Sequence, residues 1–153
     1  MVAEVEMLPL TTIRVDRNAE YSRTMRGKVP MPTVLVVDDE PLIRWSLSEG
    51  LADVGYTVKQ AATGAEAREV LADTGEDPLV VVLDLRLPDV TDLSLLQYIR
   101  ASRPDVPVVM MSAHGSVDDA RQATSLGAFR FVIKPFDVIE MIGLVGDAWA
   151  SAH

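Results

Sequence analysis

Leu79-Val80-Val81-Val82-Leu83-Asp84 is an uninterrupted apolar run closed by a carboxylate. Consecutive aliphatic side chains on both sides of an extended chain mark a strand covered on both faces, the habit of parallel sheets. The same design recurs elsewhere: Val34-Leu35-Val36-Val37 runs into Asp38-Asp39, Val108-Val109-Met110-Met111 into Ser112, and Phe131-Val132-Ile133 into Lys134. Polar side chains at the carboxyl ends of buried parallel strands converge in the crevice where open α/β sheets bind ligands. Three converging carboxylates repel one another unless a cation joins them.

Outward from these runs, apolar segments alternate with helical patterns from Thr33 onward, which predicts βα units around a parallel sheet. Strands are expected near 33–37, 56–60, 79–83, 106–111 and 129–133. The first helix starts near Pro41 and shows one apolar face, Ile43, Leu47, Leu51 and Val54; Thr63 and Glu66 make a capping-box pattern for the second. The remaining helices are expected near 92–101, 115–126 and 137–150. Gly143 and Gly146 weaken the last of them by about 1 kcal/mol each relative to Ala, so that helix either packs unusually close to a neighbour or is mobile.

The chain has 153 residues, 48% of them hydrophobic and 24% charged, which suits one compact domain rather than disorder. No apolar run approaches the ~18 residues of a membrane span, and the N-terminus lacks the apolar core of a signal peptide, so the expected location is the cytoplasm. Zero cysteines exclude disulfides and thiolate metal sites, leaving oxygen ligands and a hard cation such as Mg²⁺. A net charge of -9 disfavours direct nucleic-acid binding. That charge is uneven: residues 1–30 carry five basic and four acidic side chains, the rest nine and nineteen. Residues 1–32 therefore read as a disordered N-terminal extension ahead of a domain at 33–150, with an upstream start codon before Met31 as the plain alternative.

Four motifs in order, Val37-Asp38-Asp39-Glu40, Leu83-Asp84-Leu85-Arg86-Leu87-Pro88-Asp89, Met111-Ser112-Ala113-His114-Gly115 and Ile133-Lys134-Pro135-Phe136, resemble the receiver domain of two-component response regulators. The resemblance covers roughly Thr33 to Trp149. It implies a doubly wound, five-stranded parallel (βα)5 sheet with helices on both faces, flavodoxin-like or CheY-like. Asp84 would be the phosphoacceptor, taking a phosphoryl group from a sensor histidine kinase or phosphotransfer protein. Mg²⁺ would be held by Asp38, Asp39, Asp84 and the backbone carbonyl of Arg86. Lys134 and Ser112 would bind the phosphoryl oxygens, with a cis peptide before Pro135. Ser112 and Phe131 would form the switch that shifts the surface around the fourth helix, fifth strand and fifth helix toward an output domain or effector. Such a domain is a signalling switch, not a metabolic enzyme. Homodimerisation stays open.

Each residue has a plainer reading. Asp38, Asp39 or Ser112 can cap a helix, Asp84 can be a turn acid, Lys134 a snorkelling strand-end lysine and Phe131 ordinary core. Yet one cap leaves the second of two adjacent acids unexplained, and a chain with eleven Arg and three Lys places a Lys at this strand end. Asp92 stands where many receivers carry Gly, and can cap the third helix. Arg86 and His114 flank the site at positions that vary in the family. The segment from Ser112 to Val117 is more similar to receivers of enhancer-binding transcription activators. A haloacid-dehalogenase-type phosphotransferase needs a second acid where Arg86 stands, and a flavodoxin-like cofactor loop is incompatible with two acids after the first strand. The rival reading is a non-phosphorylated, receiver-like protein-binding module, which predicts loss of site residues.

Overall fold

The run at 79–84 becomes the middle strand of a five-stranded parallel sheet with strand order β2-β1-β3-β4-β5. The computed structural model describes residues 31–75, 77 and 79–153; the expected extension lies outside the described residues as far as residue 30. In chain order the elements are β1 Thr33–Val37, α1 Pro41–Asp53, β2 Thr57–Ala61, α2 Gly64–Thr74, β3 Leu79–Asp84, α3 Ser94–Ser102, β4 Val108–Ser112, α4 Val117–Ser125, β5 Arg130–Ile133 and α5 Val138–Ala152. The sheet is therefore the expected doubly wound one, reversing direction between β1 and β3, where such folds open a binding crevice.

Strand pleating sorts the core into two halves, because successive side chains point to opposite faces. Leu35, Val37, Val81, Leu83, Val108 and Met110 pack with Ala67 and Leu71 of α2, Leu95, Leu96 and Ile99 of α3 and Ala123 of α4. Val34, Val36, Val80, Val82, Val109 and Met111 pack with Leu47 and Leu51 of α1 and Met141, Val145 and Ala148 of α5. β3 and β4 are buried along their whole length, whereas the edge strands β2 and β5 are largely exposed. The longer apolar runs thus belong to the interior strands, while the short run of β5 lies at an edge.

Element ends moved by one to two residues from the expected spans for local reasons. β4 begins at Val108, just past Pro107, which lacks the N–H a ladder needs. α4 begins at Val117 because Ser116 accepts from the Asp119 N–H while Asp119 accepts from the Ser116 N–H, a capping box the sequence reading missed. The expected box on α2 is only half formed: Thr63 Oγ1 accepts the Glu66 N–H at 3.0 Å, but Glu66 Oε1 reaches one residue further back, to the Ala62 N–H.

The last helix removes one of the two alternatives expected for its glycines, close packing. A Cβ at Gly143 would meet nothing within 4 Å and one at Gly146 only Tyr56 Oη at 3.7 Å, so neither glycine marks close packing. The tight approach between α1 and α5 falls instead at Gly50, where a Cβ would lie 3.0 Å from both Val138 and Ile142.

Candidate functional site

Strand register sets the site. Val37 lies opposite Leu83, Asp84 opposite Met111, and Ser112 opposite Ile133. The residues that end these strands, Asp38, Asp84, Ser112 and Lys134, therefore reach one edge of the sheet together. Pleat alternation then divides them: Asp38, Asp84 and Lys134 continue the face covered by α1 and α5, whereas Ser112 and Phe131 belong to the face covered by α2, α3 and α4.

The ladder extends past the strands to hold these residues. The Asp38 N–H donates to the Ala61 carbonyl at 3.1 Å, the Leu85 N–H to the Met111 carbonyl at 2.8 Å, and the Lys134 N–H to the Ser112 carbonyl at 2.8 Å. From α1, Arg44 Nη1 donates to the Asp38 carbonyl at 2.6 Å. The Lys134-Pro135 peptide is cis, as the resemblance implied.

Lys134 is the hub. Its Nζ lies 2.7 Å from Asp38 Oδ2, 3.0 Å from Glu40 Oε1 and 3.1 Å from Asp84 Oδ2. Asp38, Asp84, Ser112 and Lys134 are all buried, while Asp39 is exposed at the rim. The surrounding carboxylates outweigh the burial of the ammonium and hold the Lys134 pKa above the ordinary lysine range. Asp84 is pushed the other way for an acid. Burial, aided by the charge of Asp38, raises its pKa, although Lys134 and the Arg86 N–H pull it back down.

One oxygen each of Asp38, Asp39 and Asp84 lies within 4.8 Å of the others. Asp38 Oδ2, wholly buried, has the Lys134 ammonium at 2.7 Å as its partner. Three carboxylates so close together form an all-oxygen donor set that fits a hard cation.

The side chains of Asp38 and Ser112 cap no helix, whereas the turn contact of Asp84 and the core packing of Phe131 are both present. Asp38 Oδ1 accepts the Glu40 N–H ahead of α1, whose N-cap residue is Glu40 with no side-chain cap. Ser112 Oγ accepts the His114 N–H at 3.2 Å, and α4 is capped by Ser116 instead. Asp84 Oδ1 accepts the Arg86 N–H at 3.3 Å; the Arg86 and His114 side chains are exposed. Asp92 Oδ1 accepts the Ser94 N–H at 3.0 Å at the start of α3, although the N-cap position itself is Leu93. Phe131 is half-buried against the core, and its ring lies so close to Gly115 that a Cβ there would collide with it.

Two contributors escaped the sequence reading. Glu40 was quoted in the first motif without a role, and its contact with Lys134 spans 94 residues. Asp89 accepts the Gly64 and Ala65 N–H groups at 2.8 and 3.0 Å, joining the β3–α3 loop to the start of α2. Those two backbone donors hold the Asp89 pKa below the usual carboxylate range. The available signal for both was a carboxylate adjoining a motif with no function of its own.

A doubly wound five-stranded parallel sheet whose strand ends bring a lysine and three carboxylates into one crevice is a flavodoxin-like (βα)5 fold with an acidic site. The chain matches the response regulator receiver domain over residues 34–145 and belongs to that family. It is similar to the DNA-binding transcriptional regulator NtrC of Escherichia coli K12, 42% identical over 112 residues, which are 73% of this chain and 24% of that protein. It is also similar to the response regulator protein PilR of Pseudomonas aeruginosa, 43% identical over 114 residues, 74% of this chain and 25% of that one. Among solved structures, the beryllofluoride-activated NtrC4 receiver domain dimer superposes with a TM-score of 0.75 at 36% identity, covering 80% of this chain and all of that one. The chain spans about a quarter of the length of these two relatives. No helix among the described residues is long and apolar enough to cross a membrane.

Proposed function

We propose that residues 33–150 act as a phosphorylation switch in which Asp84 accepts a phosphoryl group from the phosphohistidine of a sensor histidine kinase or phosphotransfer protein. The observation that carries this reading is Lys134 Nζ bridging Asp38 and Asp84 at 2.7 and 3.1 Å on the edge of the sheet. An Asp84 carboxylate oxygen bonds to phosphorus as the P–N bond breaks, and the imidazole keeps the electron pair; the product is an acyl phosphate. Asp38, Asp39, Asp84 and the Arg86 carbonyl would hold Mg²⁺, which when bound supplies positive charge against the transferring oxygens. Lys134 pairs with Asp84 before transfer and with a phosphoryl oxygen afterwards. Ser112 donates its hydroxyl to another of those oxygens.

The switch reading is supported by the pleat. Ser112 and Phe131 share the face opposite to the acids, and the Phe131 ring rests against Gly115 in the loop that follows Ser112. Movement of Ser112 toward a phosphoryl group would carry that loop with it and free the ring to turn inward, altering the surface of α4, β5 and α5. That surface would address an output domain or effector in the cytoplasm, as in NtrC-type regulators, or a second copy of the chain.

The test is intact mass after incubation with an acyl phosphate or phosphoramidate donor and Mg²⁺. One phosphoryl adduct is expected on the wild type, with none on Asp84→Asn or without Mg²⁺. A folded, Mg²⁺-binding wild type that takes up no phosphoryl group would instead support a non-phosphorylated protein-binding module.

A further inference from the structure

We propose that Glu40 is a positioning residue that receives the Lys134 ammonium when a divalent cation occupies the acid site; this rests on the metal-binding reading above. Lys134 has three carboxylate partners, and two of them, Asp38 and Asp84, are also the buried members of the acid trio. A cation joining that trio would draw on the same carboxylates and repel the ammonium beside them. The buried ammonium cannot be left without a counter-charge. Among the described residues, Glu40 is the one carboxylate partner of Lys134 outside the trio.

Its placement fits that task. The Glu40 N–H is anchored to Asp38 Oδ1 at 2.8 Å, which fixes its backbone next to the trio. Glu40 is the N-cap residue of α1, yet its side chain caps no helix N–H and turns to Lys134 instead. The carboxylate is 56% exposed, so it can follow the ammonium outward, whereas Asp38 at 0% cannot. With Glu40 replaced by Gln, Lys134 depends on Asp38 and Asp84 alone, and a divalent cation must displace it from them.

The experiment is Mg²⁺ titration by calorimetry at low ionic strength, on the wild type, Glu40→Gln, Lys134→Met and the double variant. Glu40→Gln is expected to weaken Mg²⁺ binding about two- to fivefold, in line with a half-exposed ion pair, and to have no effect in the Lys134→Met background. Glu49→Gln, an exposed acid on α1 that does not touch Lys134, should leave binding unchanged. An unchanged affinity in Glu40→Gln would overturn the inference, and so would an equal loss in both backgrounds, which would mean general charge alone. Should Lys134→Met not fold, Glu40→Asp decides: its charge stays but its reach shortens, so weakening like Glu40→Gln is expected and wild-type affinity is the overturning result. A wild type that binds no Mg²⁺ removes the metal reading as well, whereas normal wild-type binding with an indifferent Glu40→Gln removes this inference alone.

Discussion

Lys134→Met should destabilise the domain, because it removes the one cation that, among the described residues, touches Asp38, Glu40 and Asp84. The contact with Glu40 is half exposed and contributes little, about 0.2–1 kcal/mol. Asp38 and Asp84 differ, being 0% and 6% exposed at their side chains. Deleting one partner of a buried pair costs about 3–5 kcal/mol, since the charge left behind is neither solvated nor paired. Asp39 at the rim is exposed to solvent, so the low end, about 3 kcal/mol, is expected in metal-free buffer at pH 7. Against a whole-domain stability of about 5–15 kcal/mol this leaves a folded but weakened protein.

The loss should depend on pH and metal in fixed directions. Asp84 already has a raised pKa, and without the ammonium it rises further. A carboxyl whose folded-state pKa exceeds its unfolded one binds its proton more tightly when folded, so the deficit of the variant shrinks as pH falls and Asp84 protonates. Lys134 has the matching sign: its own stabilisation is complete below the ordinary lysine pKa and disappears only as pH rises through the elevated folded value. Mg²⁺ should also narrow the gap by supplying the missing positive charge. The assay is urea unfolding followed by circular dichroism, with and without Mg²⁺, from pH 5 to 8. A variant equal to or more stable than wild type at pH 7 without metal would refute the argument. Asp84→Asn is the contrasting control, expected to be neutral or stabilising because it relieves an excess of acids.

Two further substitutions test the loops that frame the site. Asp89→Ala should lower the melting temperature, since the Gly64 and Ala65 N–H groups at the start of α2 lose their acceptor; because the Asp89 pKa is depressed, its stabilisation is present above the unfolded carboxyl pKa and lost as pH falls through the folded value, so wild type and variant should converge in acid. A melting-temperature difference that persists unchanged at the lowest pH would contradict the assignment. Gly115→Ala should displace the Phe131 ring and cost about 1–3 kcal/mol through overpacking. Unchanged stability with an unchanged Phe131 ring environment in NMR spectra would show that the ring does not rest on that glycine.

The extent to which the site was legible follows from which interactions are local. Every strand-end residue could be read from its own run, because a buried parallel strand leaves an apolar signature and the polar residue that stops it stands out. Glu40 could not, since its significance is an ion pair with a residue 94 positions away. Asp89 likewise reads as a turn residue until α2, 24 to 25 residues earlier, brings two backbone donors to it. Gly143 and Gly146 show the reverse: helix propensity drew the eye to α5, but the close contact belongs to Gly50 on the neighbouring helix.

From the sequence by itself came the α/β alternation, the parallel sheet and the gathering of Asp38, Asp39, Asp84, Ser112 and Lys134 at one edge, because periodicity and chain order are properties of consecutive residues. Only the tertiary structure decided which of them touch. Register and pleat placed Lys134 among Asp38, Glu40 and Asp84 and set Phe131 against Gly115, since contact between side chains depends on how separate strands align, and no single strand carries that alignment.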